Sequence, residues 1–420
     1  MTPSTPAGAT GAPEGTDPAR ISGSAAAAPL AGVRVLDMSR VVAGPMCGRL
    51  LADLGAEVVK LEPPRGDSSR TVLPRVGEVG VYFAQLNAGK RNISVDLARP
   101  EGAELVGRLA GKADVLLENF RPGVLARYGL GPGPLLERHP RLIYCSISGY
   151  GQDGPWASRG AYAPLVHAEA GTLEMAARRR RSAIAPEIQS HGDAYPALMA
   201  ANAILAALLQ RGATGRGQHL DVAMAEVLLY TNEWTAVELA GGGSIEQLFG
   251  AWNSPLLSLR SGRTVAFAGN PVFSFPSWAR GMNRPELLDD ARFATAEARQ
   301  AHRDELIGVL ADFVARFDTV EELEEAFGPH RLPAGVVRSV SDVVDTEWSR
   351  SRGVVAEVSP GVRIPASPFR ATGFRVGAGA AAVARGQDNC AVLEDWIGLG
   401  AAEVATLRDE GVLVSAEEVV

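Results

Sequence analysis

The sequence predicts an α/β protein whose first half contains a mostly parallel β-sheet. Short apolar segments of strand type alternate with helical segments from about residue 30 to residue 223. Gly and Pro separate these segments at the positions expected for turns and helix ends. Of the 420 residues, 46% are hydrophobic and 21% are charged. This is the composition of an ordinary globular protein, and the length suits roughly two or three domains.

The first elements are predicted to form a βαβ unit. Residues 33–38 are an apolar strand. Pro45 suits the first turn of a helix, because its missing N–H would have no helical partner there. The helix covers residues 46–54 and ends at Gly55, and residues 57–61 form the second strand.

The alternation of strands and helices continues along the chain. Further strands are predicted at residues 92–97, 114–117, 142–148 and 219–223, and helices at residues 100–110, after Pro122 and, as a long buried helix, at 194–210. Such alternation is typical of parallel sheets with helices on both faces. Ligands of these sheets bind beyond the carboxyl ends of the strands, which places residues 39–44, 118–121 and 148–151 on the predicted binding edge.

The chain is predicted to consist of a tail, a large domain and a small domain. Residues 1–29 are rich in Ala, Pro, Gly, Ser and Thr, which predicts a disordered N-terminal tail. Segments become shorter and Trp and Phe cluster in residues 226–345, which predicts a small domain. Residues 393–413 predict a terminal helix pair that returns to the first domain. The large domain therefore comprises residues 30–225 and 346–420.

Charge and cysteine content argue against several classes of function. The net charge of −7 makes a nucleic-acid partner improbable, because such binding relies on summed positive charge. The three cysteines are far apart and form no zinc-binding pattern, so we expect no metal site and a reducing, cytoplasmic location. No run of about 18 apolar residues predicts a membrane-spanning helix.

Asp193 is the first candidate for catalysis. It stands beside Gly192 at the start of the long predicted helix. One interpretation is a helix N-cap, a position that favours Asp. The other is a nucleophilic carboxylate that a ligand can approach closely, kept ionised by the helix N-terminus. The two interpretations are compatible.

A second candidate site follows the strand at residues 114–117. Asn119, Phe120 and Arg121 precede a predicted helix, and Arg127 lies six residues after Arg121. A helix start with nearby Arg side chains predicts a phosphate site, and an ordinary solvated loop is the alternative.

Several separated segments together resemble family III CoA-transferases, the family of formyl-CoA transferase and carnitine CoA-transferase. Each segment alone is weak, and their joint order and spacing carry the resemblance. These segments are residues 30–37, 43–45, 51–63, 86–91, 114–123, 148–151, 192–193 and 214–218. The resemblance covers almost all of the chain from Leu30 onward.

The resemblance implies a Rossmann-like large domain, a smaller middle domain and an interlocked homodimer. It also implies that Asp193 is the catalytic nucleophile, which attacks an acyl-CoA donor and passes CoA to a carboxylic acid through an anhydride and an aspartyl-CoA thioester. Coenzyme A enters as part of the substrate, with no permanently bound cofactor. The CoA contacts implied by the resemblance are Val42, Ala43, Asn119, Phe120, Arg121, Arg127 and Tyr162.

Two other functions remain open from the sequence. The same fold carries α-methylacyl-CoA racemases, which need a second acid–base residue, typically a His in the segment that corresponds to residues 160–162. This sequence has no His there. The second alternative is a protein that binds CoA without catalysing a reaction, and the presence of Asp193 argues against it. Residues 241–244 are a candidate lid, and the identities of the donor and acceptor acids are not readable from the sequence.

Overall fold

The computed structural model describes residues 28–241, 254–330, 333–377 and 380–416. Residues 1–27 of the predicted tail and residues 242–244 of the candidate lid lie outside this part of the chain.

The described residues contain a six-stranded parallel sheet, which confirms the predicted fold class. Its strands are β1 (Arg34–Asp37), β2 (Glu57–Glu62), β5 (Arg91–Ser94), β6 (Val115–Glu118), β7 (Ile143–Ser148) and β8 (His219–Ala223). They lie in the order β5-β2-β1-β6-β7-β8, and each neighbouring pair is parallel. β1 is a central strand, and its Val35 and Leu36 are fully buried, as apolar runs covered on both faces should be.

The strand order locates the binding crevice. Counted along the chain, these six strands are arranged 3-2-1-4-5-6, the order of Rossmann sheets. The chain therefore leaves β1 toward one side and β6 toward the other. The loops that follow these two strands separate at the carboxyl edge and leave a crevice between them, where ligands of such sheets bind.

Helices cover both faces of the sheet. One face carries α1 (Ala43–Asp53) and α7 (His191–Thr214). The other carries α3 (Pro100–Ala110) and α16 (Asn389–Ile397), and α17 (Ala401–Asp409) follows α16. The predicted return of a C-terminal helix pair to the first sheet is thus confirmed.

The remaining described helices are shorter or lie farther along the chain. They are α2 (Val81–Asn87), α4 (Pro132–Arg138), α5 (Ala163–Glu169), α6 (Thr172–Arg180), α8 (Met224–Thr231), α9 (Thr235–Leu239), α10 (Pro271–Gly281), α11 (Ala296–Ala301), α12 (Arg303–Val314), α13 (Val320–Phe327), α14 (Val340–Val344) and α15 (Glu347–Arg352).

A separate apolar cluster lies in the middle of the chain. A three-stranded antiparallel sheet is formed by β9 (Leu256–Ser258), β10 (Thr264–Phe267) and β11 (Ala334–Val336). Phe275 and Trp278 of α10 are buried within the same cluster. The two smaller sheets are hairpins, β3 (Arg75–Val76) with β4 (Val79–Gly80) and β12 (Val355–Ser359) with β13 (Val362–Pro365).

Helix α7 differs from its prediction in length and in burial. It begins at His191 and ends at Thr214, where Gly215 adopts the left-handed conformation at φ 73°. One face packs into the core through Ala197, Ala200 and Ile204, whereas Leu198 and Leu209 on the other face are exposed. The predicted helix is therefore confirmed, but only one of its faces is buried in this chain. The length and the apolar composition of α7 would be sufficient to cross a membrane. Core helices of soluble proteins often share both properties.

Candidate active site

Asp193 lies in the first turn of α7, at the carboxyl edge of the sheet. The helix begins two residues earlier, at His191, so Ser190 and not Asp193 occupies the N-cap position. The N-cap interpretation is therefore wrong. Asp193 makes no side-chain hydrogen bond to any residue of the described chain. Burial raises the pKa of the Asp193 carboxyl to about 6, which opposes the ionising effect expected from the helix N-terminus.

A buried histidine holds the start of α7. His167 on α5 accepts a hydrogen bond from the backbone N–H of Gly192 through Nε2 at 2.8 Å. Burial lowers the pKa of His167, which favours the neutral ring that this contact requires. A Cβ on Gly192 would lie 3.1 Å from the Cα of Ala163, so glycine allows α7 to approach the start of α5. These contacts fix the backbone that carries Asp193.

The loop after β1 has an unusual backbone. Val41 adopts φ 66°, a left-handed conformation that is strained for a β-branched residue. Its N–H donates to the carboxylate of Asp67 at 3.1 Å, and Asp67 is held by the buried ammonium of Lys60, also at 3.1 Å. Lys60 additionally donates to the carbonyl oxygen of Ser39. A buried ion pair therefore holds the strained loop in place.

Val42 and Ala43, two predicted CoA contacts, end this loop and begin α1. Both side chains are buried, with exposed fractions of 8% and 1%. A ligand in the crevice would therefore meet this segment at the helix start, where the first backbone N–H groups have no helical partner.

The loop after β6 is tied to the loop after β1. Asn119 accepts from the backbone N–H of Arg40 at 2.7 Å and donates to its carbonyl oxygen at 2.8 Å. Glu118 accepts from the N–H of Phe120 at 2.8 Å, and burial raises the pKa of Glu118 to about 7. The guanidinium of Arg40 lies 4.9 Å from the centroid of the Phe120 ring. Asn119 and Phe120 thus line the crevice together with Arg40.

The other three predicted contacts are exposed. Arg121 packs over Gly160, where any Cβ would overlap its guanidinium. Arg127 lies in a short 3₁₀ helix at Leu125–Tyr128. Tyr162, 64% exposed, immediately precedes α5. The contact between Arg121 and Gly160 brings the loops after β6 and β7 together.

Three residues near the site were not among the predicted site residues. Arg40 belongs to residues 39–44 of the predicted binding edge, so its position after β1 could have indicated that it lies near the site. Tyr82 on α2 gave no signal in the sequence. Burial, with the charges of Asp193 and Asp67, raises the pKa of Tyr82, which places this phenol near both carboxylates. His167 fixes the start of α7 through its contact with Gly192.

Comparison with known proteins gives the family. Residues 30–389 match the sequence profile described as CoA-transferase family III. The chain belongs to this family. A relative named succinyl-CoA–D-citramalate CoA-transferase, from Chloroflexus aurantiacus, is 32% identical over 92% of this chain and 98% of its own. A relative named formyl-CoA:oxalate CoA-transferase, from Streptomyces avermitilis, is 31% identical over 91% of this chain and 99% of its own.

A solved structure agrees with this assignment. The crystal structure of a CAIB/BAIF family protein from Brucella suis has a TM-score of 0.77 and 31% sequence identity. The similarity covers 88% of this chain and 99% of that one. The predicted family and enzyme class are confirmed: the protein is a family III CoA-transferase, and CoA thioesters are the substrates of this family. The names of these relatives do not favour the racemase alternative.

The acidic residues of this CoA-transferase do not form a metal centre in the described part of the chain. No group of three or more His, Cys, Asp or Glu side chains is placed there to hold a metal ion. Asp67 and Glu62 instead accept hydrogen bonds from Lys, Arg and backbone N–H groups. Their observed contacts are those of structural ion pairs.

Proposed function

We propose that the protein transfers CoA between carboxylic acids with Asp193 as the covalent nucleophile. The observation that carries the proposal is the environment of the Asp193 carboxylate. Its carboxylate is partly buried, has no hydrogen-bond partner among the described residues and lies at the carboxyl edge of a Rossmann-type sheet. With a pKa of about 6 it is mostly ionised at neutral pH, and loss of water makes it more reactive.

The proposed reaction begins with attack of the Asp193 carboxylate on the carbonyl carbon of the donor thioester. The C–S bond breaks, which gives a mixed anhydride and the CoA thiolate. The thiolate attacks the aspartyl carbonyl of the anhydride and releases the donor acid, so that CoA is now held as an aspartyl thioester. The acceptor carboxylate then attacks this thioester, and the released thiolate attacks the acyl carbonyl of the second anhydride. The products are the new acyl-CoA and free Asp193.

We propose that CoA lies in the crevice between the loops after β1 and β6. Its contacts would be the seven residues that the family resemblance implies, Val42, Ala43, Asn119, Phe120, Arg121, Arg127 and Tyr162. The hydrogen bonds between Asn119 and Arg40 support this position, because they join the two loops at the crevice. The N–H groups at the start of α1 and beside Gly192 are candidates to stabilise the developing oxyanions.

We propose a dicarboxylic acid as the acceptor. The support is the names of the two relatives described above, because D-citramalate and oxalate are both dicarboxylates. Arg159 is a poor candidate to bind the second carboxylate of such an acid, since it already donates to Glu169 at 2.8 Å.

The names of the relatives also suggest the first substrates to test. These are succinyl-CoA as the donor, with D-citramalate and oxalate as acceptors.

We propose that two copies of the chain form the interlocked homodimer that the family resemblance implies. An exposed apolar surface on α7 and α8 supports an interface between the two copies at these helices. Leu198 and Leu209 on α7 and Tyr230 on α8 are all exposed, with fractions of 49%, 79% and 81%. Patches of this kind are typical of surfaces that a partner covers. Light scattering should give the mass of a dimer, and the mass of a monomer would contradict the proposal.

We propose that the chain consists of a large and a small domain and that the protein is cytoplasmic. The separate cluster around Phe275 and Trp278 supports a small domain at 226–345, and the packing of α16 supports a large domain at 30–225 and 346–420. The buried thiols of Cys47 and Cys145, neither in a disulfide, are compatible with a cytoplasmic protein that is not bound to a membrane.

The proposed mechanism predicts a covalent adduct at Asp193. The protein is incubated with succinyl-CoA and hydroxylamine, and the peptide that contains Asp193 is examined by mass spectrometry. A donor-dependent hydroxamate that is absent from Asp193→Ala supports the mechanism. Asp153→Asn, which alters an exposed carboxylate after β7, is the matched control and should keep the adduct. Transfer that survives in Asp193→Ala would contradict the mechanism. Hydrogen exchange at the acyl α-carbon without transfer would instead indicate a racemase.

A further inference from the structure

Arg40, at the carboxyl edge of the sheet, is a cation with no ion-pair partner among the described residues. Its side chain is half-buried, and its Nε is shielded from solvent with no hydrogen-bond partner. The guanidinium makes no hydrogen bond or ion pair with any residue that the structure describes. Burying an unpaired cation is unfavourable, because lost hydration is not replaced by protein contacts.

The nearby carboxylates are already matched by other cations. Asp67 accepts from Lys60, and Glu62 accepts from Arg70 at 2.6 Å. In each of these ion pairs one negative charge is matched by one positive charge. Asp67 and Glu62 raise the pKa of Arg40 from a distance, but burial outweighs them and lowers it. The neighbourhood of Arg40 therefore carries one positive charge that the described residues do not neutralise.

The position of Arg40 selects the kind of anion. Its side chain stacks on Phe120, and its backbone is held by Asn119, so it lies between the two loops that form the crevice. Arg40 follows β1, whereas Asp193 lies in the first turn of α7, so the two side chains belong to different elements of the sheet edge. In a CoA thioester the phosphates are at the opposite end of the ligand from the reacting carbonyl, so a cation separate from Asp193 matches the phosphate end.

We propose that Arg40 binds a phosphate group of coenzyme A. A planar guanidinium offers paired N–H donors that fit two phosphate oxygens, and stacking on Phe120 fixes its orientation. The phosphate supplies the missing counter-charge. This inference rests on the proposed function, because it takes CoA as the ligand of the crevice. Both the pyrophosphate and the 3′-phosphate of CoA have the required chemistry, and truncated ligands distinguish them.

The test combines side-chain truncation with ligand truncation. Binding of CoA, dephospho-CoA and pantetheine is measured by calorimetry on the full chain and on Arg40→Gln and Arg40→Lys. We expect Arg40→Gln to weaken CoA binding about 10- to 100-fold, the effect of losing a charge-assisted contact, and to leave pantetheine binding unchanged. Arg40→Lys should recover part of the loss, because it restores the charge without the planar fork. The backbone contacts with Asn119 are unaffected by either change, so both variants should fold.

The outcomes separate the alternatives. If dephospho-CoA loses as much affinity as CoA, Arg40 binds the pyrophosphate; if it loses none, Arg40 binds the 3′-phosphate. An equal loss for pantetheine and CoA, or no loss for CoA, overturns the inference. Arg216→Ala removes an exposed positive charge at the opposite edge of the sheet, and should leave CoA binding unchanged. Failure of the proposed function has a different signature, namely CoA binding without any donor-dependent adduct at Asp193.

Discussion

Replacement of Asp193 by Asn should make the protein more stable while it abolishes transfer. The folded-state pKa of Asp193 rises from 3.8 to about 6 because the carboxyl is buried. Between these pH values the folded state binds more protons than the unfolded state, so this group's contribution to stability is lost as the pH rises through about 6. One pKa unit corresponds to about 1.4 kcal/mol, so the full displacement corresponds to about 3 kcal/mol at pH 7. Partial exposure screens the charge, and we expect about 2 kcal/mol.

The assay is urea unfolding of the wild type and Asp193→Asn at one protein concentration, from pH 4.5 to pH 7.5. Asn has the shape of Asp and no charge, so the difference in free energy of unfolding isolates the cost of the buried carboxylate. We expect a variant that is more stable at pH 7.5, with a gain that shrinks toward pH 4.5. Asp153→Asn should show neither effect. An Asp193→Asn protein that is no more stable at pH 7.5, or a gain that is constant with pH, would refute the reasoning.

Three further predictions concern the framework of the site. His167→Gln should keep most of the turnover, since the amide oxygen can accept from the N–H of Gly192, whereas His167→Leu should lower kcat more than it changes KM. Lys90→Met should lower the free energy of unfolding by about 3–5 kcal/mol, because it leaves the carboxylate of Asp37 buried without its cation, which now lies at 2.8 Å. Gly217→Ala should destabilise the fold by more than about 3 kcal/mol, because its Cβ would overlap a backbone carbonyl oxygen.

Each of these has a measurement that can contradict it. Steady-state kinetics in which His167→Gln is as impaired as His167→Leu would exclude the accepted hydrogen bond as its role. Chemical denaturation that shows Lys90→Met at wild-type stability would mean that water or another cation compensates the carboxylate. For Gly217→Ala the matched control is Gly133→Ala, whose Cβ meets nothing within 4 Å. Equal melting temperatures of these two glycine variants would show that the contact at Gly217 is not tight.

Part of the candidate site could be predicted from the sequence because its residues stand in locally recognisable patterns. Asp193 follows a glycine at the start of a long apolar helix, and Asn119 to Arg121 follow a strand, so each carries its own signal. Tyr82 carries none. It lies on a short helix with no pattern of charges, and only folding brings it near Asp193 and Asp67. Residues that act through distant neighbours cannot be recognised from their own segment.

Local patterning was sufficient to predict most of the elements and which loops lie at the carboxyl edge of the sheet. Alternation of apolar runs with helices determines a parallel sheet, and Gly and Pro determine where elements end, because these preferences act within a few residues. The end of α7 at Gly215 and the helix at Pro100–Ala110 illustrate this. The start of α7 was less well determined, because Ser190, His191 and Asp193 are all acceptable near a helix start.

Only the tertiary structure decided which charged side chains are buried and which of them form ion pairs. Lys60 and Asp67 come from β2 and the loop after it, yet their pairing holds a strained residue after β1. Arg40 lies on that same loop and has no ion pair within the described part of the chain, because the carboxylates of Asp67 and Glu62 are already paired with other cations. Desolvation and charge balance depend on every group packed around a side chain, and most of those groups are remote in sequence. The raised pKa of Asp193 and the charge of Arg40 that the described residues leave unmatched are therefore properties of the assembled sheet edge.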